Sequence, residues 1–504
     1  MRVPMFSGLW LMAMPFAMGQ STWTYLGDAG RQVRVTDAIE TTGGVFLCIS
    51  RYDPDSLPSK VSYLTKLEAT GVPISTTRLW NDERSASVWT ALPSSDGTFV
   101  TAYGDMILEN ADRGFYSFML GTDLEHLDSI TYICANLPNP TLSNVLAMAN
   151  GDRVILGSGL PPDQSYPWVT QLIKTDQFGD SLGNLRLDNT GNVVVARHAL
   201  ELEDGSFLLS SRGMLSLPFY SFGLASYTKI NSAMQPTGGF AGPIFGNDPN
   251  EQISFTNNMQ DQLHLAGLPS GNMIVSGWRG GFGVQKLSAA GTSLGTYLLA
   301  VDQEIHHPAI LGCSAPVGNE LLVAYMENFN WGLETGSPFI PNAPNRVRVS
   351  KLDTSLNLLC TNVLDGFDEN AYYWLDRIRG TSEGGYILCG GRIDLNAPTF
   401  TWQSWAQKFG PDDCFTGFDE LAGGQEAVVY PNPGTDQFTL NLNGALRDAQ
   451  VVLFSVTGQA VASGWLRNGS VTISTTELLP GVYAYRVIDR AGTERASGRW
   501  VKTE

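Results

Sequence analysis

His198 and His264, Asp37 and Arg377 all stand at one recurring position, seven residues before a glycine that sits in a tight turn. The full column is Asp37, Thr90, Asn144, His198, His264, Leu311 and Arg377, and six of its seven members are polar. Imidazole and carboxylate can both ligate a metal, so the column reads as a ligand or metal site at the mouth of a channel. It reads more readily as the hydrated lining of such a channel, because polar groups near water need no special cause. His306 and His307, in "EIHHPA", carry the same two readings. The acidic stretch "DGFDENAYYWLD", Asp365 to Asp376, offers a carboxylate pair of the kind that cleaves glycosidic bonds, or a solvated loop.

Aromatic residues form a second group: Tyr166, Trp168, Phe219, Tyr220, Phe329, Trp331, Phe400, Trp402 and Trp405. Flat rings stack on sugars and anchor protein contacts, or pack long loops against one another. No G-x-S-x-G elbow, H-E-x-x-H, P-loop or EF-hand pattern is present. The six cysteines, Cys48, Cys134, Cys313, Cys360, Cys389 and Cys414, show no CxxC spacing, so no zinc site is expected. Disulfides and buried free thiols both fit them. No catalytic residue, metal or cofactor is assigned from these patterns.

The elements that position these residues repeat. "IETTGGVFLCIS", "LPSSDGTFVTAY", "AMANGDRVILGS", "LELEDGSFLLSS", "GLPSGNMIVSGW", "SAPVGNELLVAY" and "GTSEGGYILCGG" are versions of one strand–turn–strand unit. Their glycines are Gly44, Gly97, Gly151, Gly205, Gly271, Gly318 and Gly384, spaced between 47 and 66 residues apart. Asp-Gly, Asn-Gly and Gly-Gly suit two-residue hairpins. A third strand ending near Lys-Leu, and in most units a fourth, complete each repeat. Four short strands at this period describe a seven-bladed β-propeller over residues 20–415. The last unit lacks a fourth strand, and "TWTYLGD" at Thr22 to Asp28 is an orphan; pairing the two would close the ring and protect a sheet edge. An open sandwich or solenoid is the competing all-β layout.

With the Gly turns at the bottom, the loops between second and third strands lie at the top. Several of these are long and aromatic, so Tyr166, Trp168, Trp331, Trp402 and Trp405 are expected to present a binding face there, with His198 and His264 at the channel mouth. The chain has 504 residues and a formal net charge of −18. That charge argues against nucleic acid and anionic membranes as partners. "MRVPMFSGLWLMAMPFAMGQ" has the charge, apolar run and small-x-small site of a secretory signal peptide over residues 1–19. No later segment is apolar enough for membrane insertion.

After a linker at 416–425, residues 426–504 form alternating strands that read as a small antiparallel sandwich. Tyr430-Pro431-Asn432-Pro433-Gly434, then "VLFSVTGQAV", then Leu479-Pro480-Gly481-Val482-Tyr483 and a final "GRWVK" resemble the type A C-terminal sorting domain of type IX secretion. The resemblance implies an Ig-like fold, passage through an outer-membrane translocon of a Gram-negative bacterium, and removal of the tail by a surface sortase. The expectation is therefore a secreted or surface binding protein for an extracellular glycan or protein. A propeller glycoside hydrolase or polysaccharide lyase is the alternative.

Overall fold

The computed structural model describes residues 22–503 except 31, 42–43, 53–58, 81–84, 108–112, 135–136, 138–139, 160–168, 188–192, 218–219, 243–263, 269, 279–281, 301–305, 310, 329–342, 398–400, 412–426, 443–448, 456–459, 468 and 489–493. The signal-peptide and linker segments, and Tyr166, Trp168, Phe219, Phe329, Trp331 and Phe400, lie outside the described residues. Among the described residues no helix is long and apolar enough to cross a membrane. The fold is all-β, with a single helical turn at Gly366–Glu369. Two compact units are present: Met1–Leu359 with Val363–Asp413, and Cys414–Glu504 with Cys360–Asn362.

The first unit is built of antiparallel sheets, one for each predicted repeat, and six of them have four strands. Their innermost strands are Arg34–Thr41, Ala86–Pro93, Thr141–Ala147, Val193–Glu201, His264–Gly267, Ser314–Val317 and Ala371–Gly380. Each lies against the innermost strand of the next sheet, and Ala371–Gly380 lies against Arg34–Thr41. The circuit closes, which is a β-propeller arrangement. In the sixth sheet two short segments, His306–Pro308 and Ser314–Val317, share one partner strand, Glu320–Glu327.

Burial follows position in the sheet. The second strand of the third sheet, Arg153–Gly159, is buried along its whole length, because neighbouring sheets cover both faces. The outermost strand, Ser181–Leu187, alternates exposed and half-buried residues. The orphan strand closes the ring: Trp23–Gly30 pairs antiparallel with Trp402–Phe409, Trp23 opposite Lys408 and Leu26 opposite Trp405. Trp23 packs with Val33, Val35, Leu67 and Ala406, so the junction has its own apolar seal.

All seven turn glycines have positive φ, the conformation only glycine adopts without strain. The expectation of two-residue loops holds where Thr41 opposes Gly44 and Val317 opposes Glu320. It is corrected in the third, fourth, fifth and seventh sheets. There Met148 bonds Asp152, Leu202 bonds Ser206, Leu268 bonds Asn272 and Thr381 bonds Gly385, enclosing three residues with glycine last. A type I turn followed by a left-handed residue gives this loop, and the glycine requirement is the same.

A second regularity was not anticipated. In five innermost strands the register slips just before the column residue: between Val35 and Asp37, Val88 and Thr90, Leu142 and Asn144, Ala196 and His198, and Leu375 and Arg377. A bulge of this kind re-aims the next side chain. The polar column is thus set by a repeated backbone device.

The second unit contains a three-stranded sheet, Ala427–Tyr430, Gln437–Leu442 and Ser470–Ser474, and a four-stranded one, Ala460–Trp465, Gln450–Phe454, Gly481–Ile488 and Glu494–Lys502. Phe438, Leu440, Val451, Leu453, Tyr485, Val487 and Trp500 from both sheets share one core. Four cysteines, Cys48, Cys134, Cys313 and Cys389, are free and buried, and Cys360 is disulfide-bonded.

Candidate functional site

The column residues gather on the inner strands, and they are mostly dry. Asp37 is fully buried. Its carboxylate accepts from Arg379 Nε at 2.9 Å and Nη2 at 2.7 Å, from the Ala38 amide at 2.9 Å, and from the Thr90 hydroxyl. Arg377 Nε approaches to 3.5 Å. Burial alone would raise the Asp37 pKa, but the two guanidiniums and these hydrogen bonds outweigh it and leave the group lowered. Asp376, the bulge residue beside Arg377, is also fully buried. It accepts from Arg34 at 3.2 Å and from the Trp374 indole at 3.1 Å, and burial raises its pKa.

His198 and His264 come from adjacent sheets, with ring centroids 5.5 Å apart at 71°. The picture of two histidines meeting water is corrected: His264 is buried and His198 half-buried. Burial holds both neutral, pushing His198 down to about 3, and the nearby guanidinium of Arg377 acts on both in the same direction. A guanidinium charge acting on both imidazoles disfavours a metal cation there. Among the described residues no three His, Cys, Asp or Glu side chains gather into a metal-ligating group.

Two expected binding aromatics are placed differently from the reading that set them on an open face. Trp405 is fully buried, edge-on to Tyr373 at 5.0 Å. Trp402 is buried edge-on to Trp374 at 6.1 Å and Tyr372 at 6.5 Å. Both belong to the strand Trp402–Phe409, third in its sheet, whose two faces are covered by neighbours. The sequence placed them in a loop because the long polar and prolyl run before them hides where the strand begins.

The same end of the ring carries a different cluster. Arg346 starts the third strand of the sixth sheet, the helical turn Gly366–Glu369 leads into the seventh, and Arg392 lies near the upper end of the seventh sheet's second strand. Phe367 is 44% exposed, and the Arg346 guanidinium lies 4.9 Å from its ring centre. Asp365 binds Arg346 Nε at 2.8 Å. Glu369 accepts from the Tyr373 hydroxyl at 2.8 Å and from Arg392 at 3.1 Å. Asn370 donates to Asn396 at 2.8 Å. Three carboxylates of this acidic stretch, Asp365, Glu369 and Asp376, are thus held by arginines. Nothing in sequence spacing pairs residues 346, 369 and 392; only the ring does.

In the tail, the Pro-Asn-Pro-Gly segment is fastened to the last strand. Trp500 Nε1 donates to the Pro431 carbonyl at 2.7 Å, and the Asn432 side chain accepts from the Val501 amide at 3.0 Å and donates to the Arg499 carbonyl at 3.2 Å. Gly434 bonds the Val501 carbonyl through its amide. A Cβ there would meet the Pro431 oxygen at 2.8 Å, so glycine is required by contact. Tyr483 bonds back to the Leu479 carbonyl at 2.6 Å, while Leu479 itself is 78% exposed and Val482 is also exposed. Residues 428–499 match the secretion system C-terminal sorting domain. This segment is a type IX sorting domain. It directs export and implies contact with the type IX machinery.

No curated protein matches the chain. Solved structures that align with the chain include the β-propeller domain of the Trilobed protease from Pyrococcus furiosus, at 7% identity and TM-score 0.42, covering 75% of this chain and 98% of that one. Puromycin hydrolase aligns at 10% identity and TM-score 0.45, over 82% of this chain and 59% of that one. The α-L-arabinanase of Penicillium chrysogenum, complexed with arabinobiose, aligns at 11% identity and TM-score 0.40, over 66% and 98% respectively. At these identities the likenesses assign no activity to this chain.

Proposed function

We propose that the chain is an exported binding protein. Residues 1–19 are its signal peptide, 20–415 a seven-bladed propeller, 416–425 a linker, and 426–504 an Ig-like sorting domain that a surface sortase removes. The propeller recognises an extracellular glycan or protein through its upper face. The observation that carries this reading is the exposed Phe367 ring, backed by Arg346 and flanked by Glu369, Asn370 and Arg392 in fixed hydrogen bonds. An aromatic face beside prearranged planar polar groups suits a sugar or a peptide.

A propeller hydrolase or lyase is the second reading. It is favoured by one fact: Asp37 is lowered and Asp376 raised, and carboxylates pushed apart in this way can divide into base and acid. Against it, both are fully buried and held by arginines. A glycan array probed with the secreted protein, beside Phe367→Ala and Arg392→Ala, tests the binding reading. Retained ligands that the two variants lose support it, and product formation from any arrayed polysaccharide would replace it with the enzyme reading. The export half is tested by removing 426–504: the truncated chain should accumulate inside the cell envelope, still folded, because each unit has its own core.

A further inference from the structure

The inner ring has an unbalanced charge. Three buried or half-buried arginines, Arg34, Arg377 and Arg379, face two carboxylates, Asp37 and Asp376; Asp37 is shared by two of the arginines, and Asp376 meets Arg34 through Oδ1 alone, its Oδ2 making no hydrogen bond. Arg379 holds Asp37 through two nitrogens, and Arg34 holds Asp376. Arg377 is left with the weaker share. It is 4% exposed, its Nε makes no hydrogen bond, and its approach to Asp37 stops at 3.5 Å. A guanidinium removed from water and incompletely paired is costly, so the Arg377 Nε can gain from a further acceptor. The total charge of the protein is −18, which makes a local positive surplus in its interior more pointed. The imidazoles of His198 and His264 belong to the same ring of inner strands and feel the Arg377 charge. The ring is not sealed: the Arg379 side chain is 34% exposed and His198 is half-buried.

We propose that this inner ring binds one oxyanion group of a ligand, a carboxylate or a phosphate-type group, against Arg377, with His198 and His264 beside it. A planar guanidinium takes an oxyanion through parallel N–H bonds, and arginine is the residue suited to that geometry. A register shift precedes Asp37, Thr90, His198 and Arg377 alike, so these four occupy equivalent positions on their inner strands. An anion would supply the further acceptor, and the two imidazoles, neutral in the empty ring, would gain a reason to protonate. This site is separate from the Phe367 rim and does not depend on the rim's ligand.

The test is isothermal titration of the full mature protein at constant ionic strength. The probes are inorganic phosphate, a galacturonate trisaccharide, and a neutral galactose trisaccharide, each against a chloride background. Saturable binding of phosphate, or of the galacturonate but not the neutral sugar, is the expected result. The first outcome identifies a free oxyanion as ligand and the second a sugar carboxylate. Arg377→Gln should weaken that binding about tenfold or more, while Lys229→Gln, whose residue pairs with Asp204 on a distant exposed turn, should not change it. Should Arg377→Gln fail to fold, histidine NMR on the wild-type protein decides. The imidazole titration of His198, about 3 in the free ring, must move upward on adding the bound anion. No saturable binding of either anion, or unchanged histidine titration in its presence, overturns the proposal.

Discussion

Asp37 and Glu369 are both carboxylates held by arginine on the seventh sheet, and they occupy opposite physical regimes. Asp37 is fully buried and takes bonds from Ala38, Thr90 and both forks of Arg379. The Glu369 side chain is 49% exposed and shares one oxygen between Tyr373 and Arg392. In the interior the charges have no water to return to, so each removal leaves a partner stranded. At the rim the carboxylate itself is half in water, so the same pairing adds less to stability and is free to serve recognition. Position in the ring, more than residue type, decides what an arginine–carboxylate pair does here.

Breaking each pair should expose that difference. Asp37→Ala should cost about 3–5 kcal/mol, because Arg379 and Arg377 both lose their buried counter-charge. Glu369→Ala should cost under about 1 kcal/mol. Chemical denaturation of the two variants measures both, and equal losses would erase the distinction drawn above. Next in size is the clasp. Deleting Thr22 to Gly30 removes a full ladder against Trp402–Phe409 and the buried Trp23, for a loss of about 3 kcal/mol or more. Unchanged thermal unfolding after that deletion would mean the ring closes without it.

The interior should also respond to acid in a way the rim does not. His198 and His264 have folded pKa values below their unfolded ones, so the unfolded chain takes up protons first as pH falls below about 6.5. Stability is therefore full above that pH and declines below it. Asp37, also lowered, adds to the decline once pH drops below about 4. Asp376, raised by burial, works in the opposite direction and at higher pH, between its raised folded pKa and about 4. Replacing both histidines with glutamine should flatten the decline between about pH 6.5 and 4. Urea midpoints across that range would show it, and an undiminished slope in the double variant would assign the acid sensitivity to other groups.

Much of this architecture was legible because it is periodic. The seven glycines mark turns that need positive φ, and the orphan strand Trp23–Gly30 was visible as a strand without a sheet. The tail was legible because Pro431, Asn432, Gly434 and Tyr483 are held by contacts that tolerate few other residues. The site was legible only as a column. Its members Asp37, Thr90, His198 and Arg377 share a sequence offset, but the bulges that aim them do not show in the residues. Arg379 pairs with Asp37 across 342 positions, a distance over which spacing says nothing. Trp402 and Trp405 misled for a related reason: alternation cannot reveal burial on a strand covered on both faces.

The smallest expected effect on stability sharpens the comparison most. Phe367 is 44% exposed on a single helical turn, and its ring meets the Arg346 guanidinium at 4.9 Å. Phe367→Ala loses a surface cation–π contact of about 0.5–1 kcal/mol, and little packing, since the ring is already largely in water. Thermal unfolding should shift by only a few degrees at most. If the rim is the recognition face, the same substitution should weaken capture of any arrayed ligand by about tenfold, the loss expected of an aromatic anchor. That split, a near-silent change in stability with a large change in binding, is the reverse of the split expected at Asp37. A Phe367→Ala protein that binds as well as the parent would leave the rim cluster a structural brace and would move recognition to other loops of the upper face.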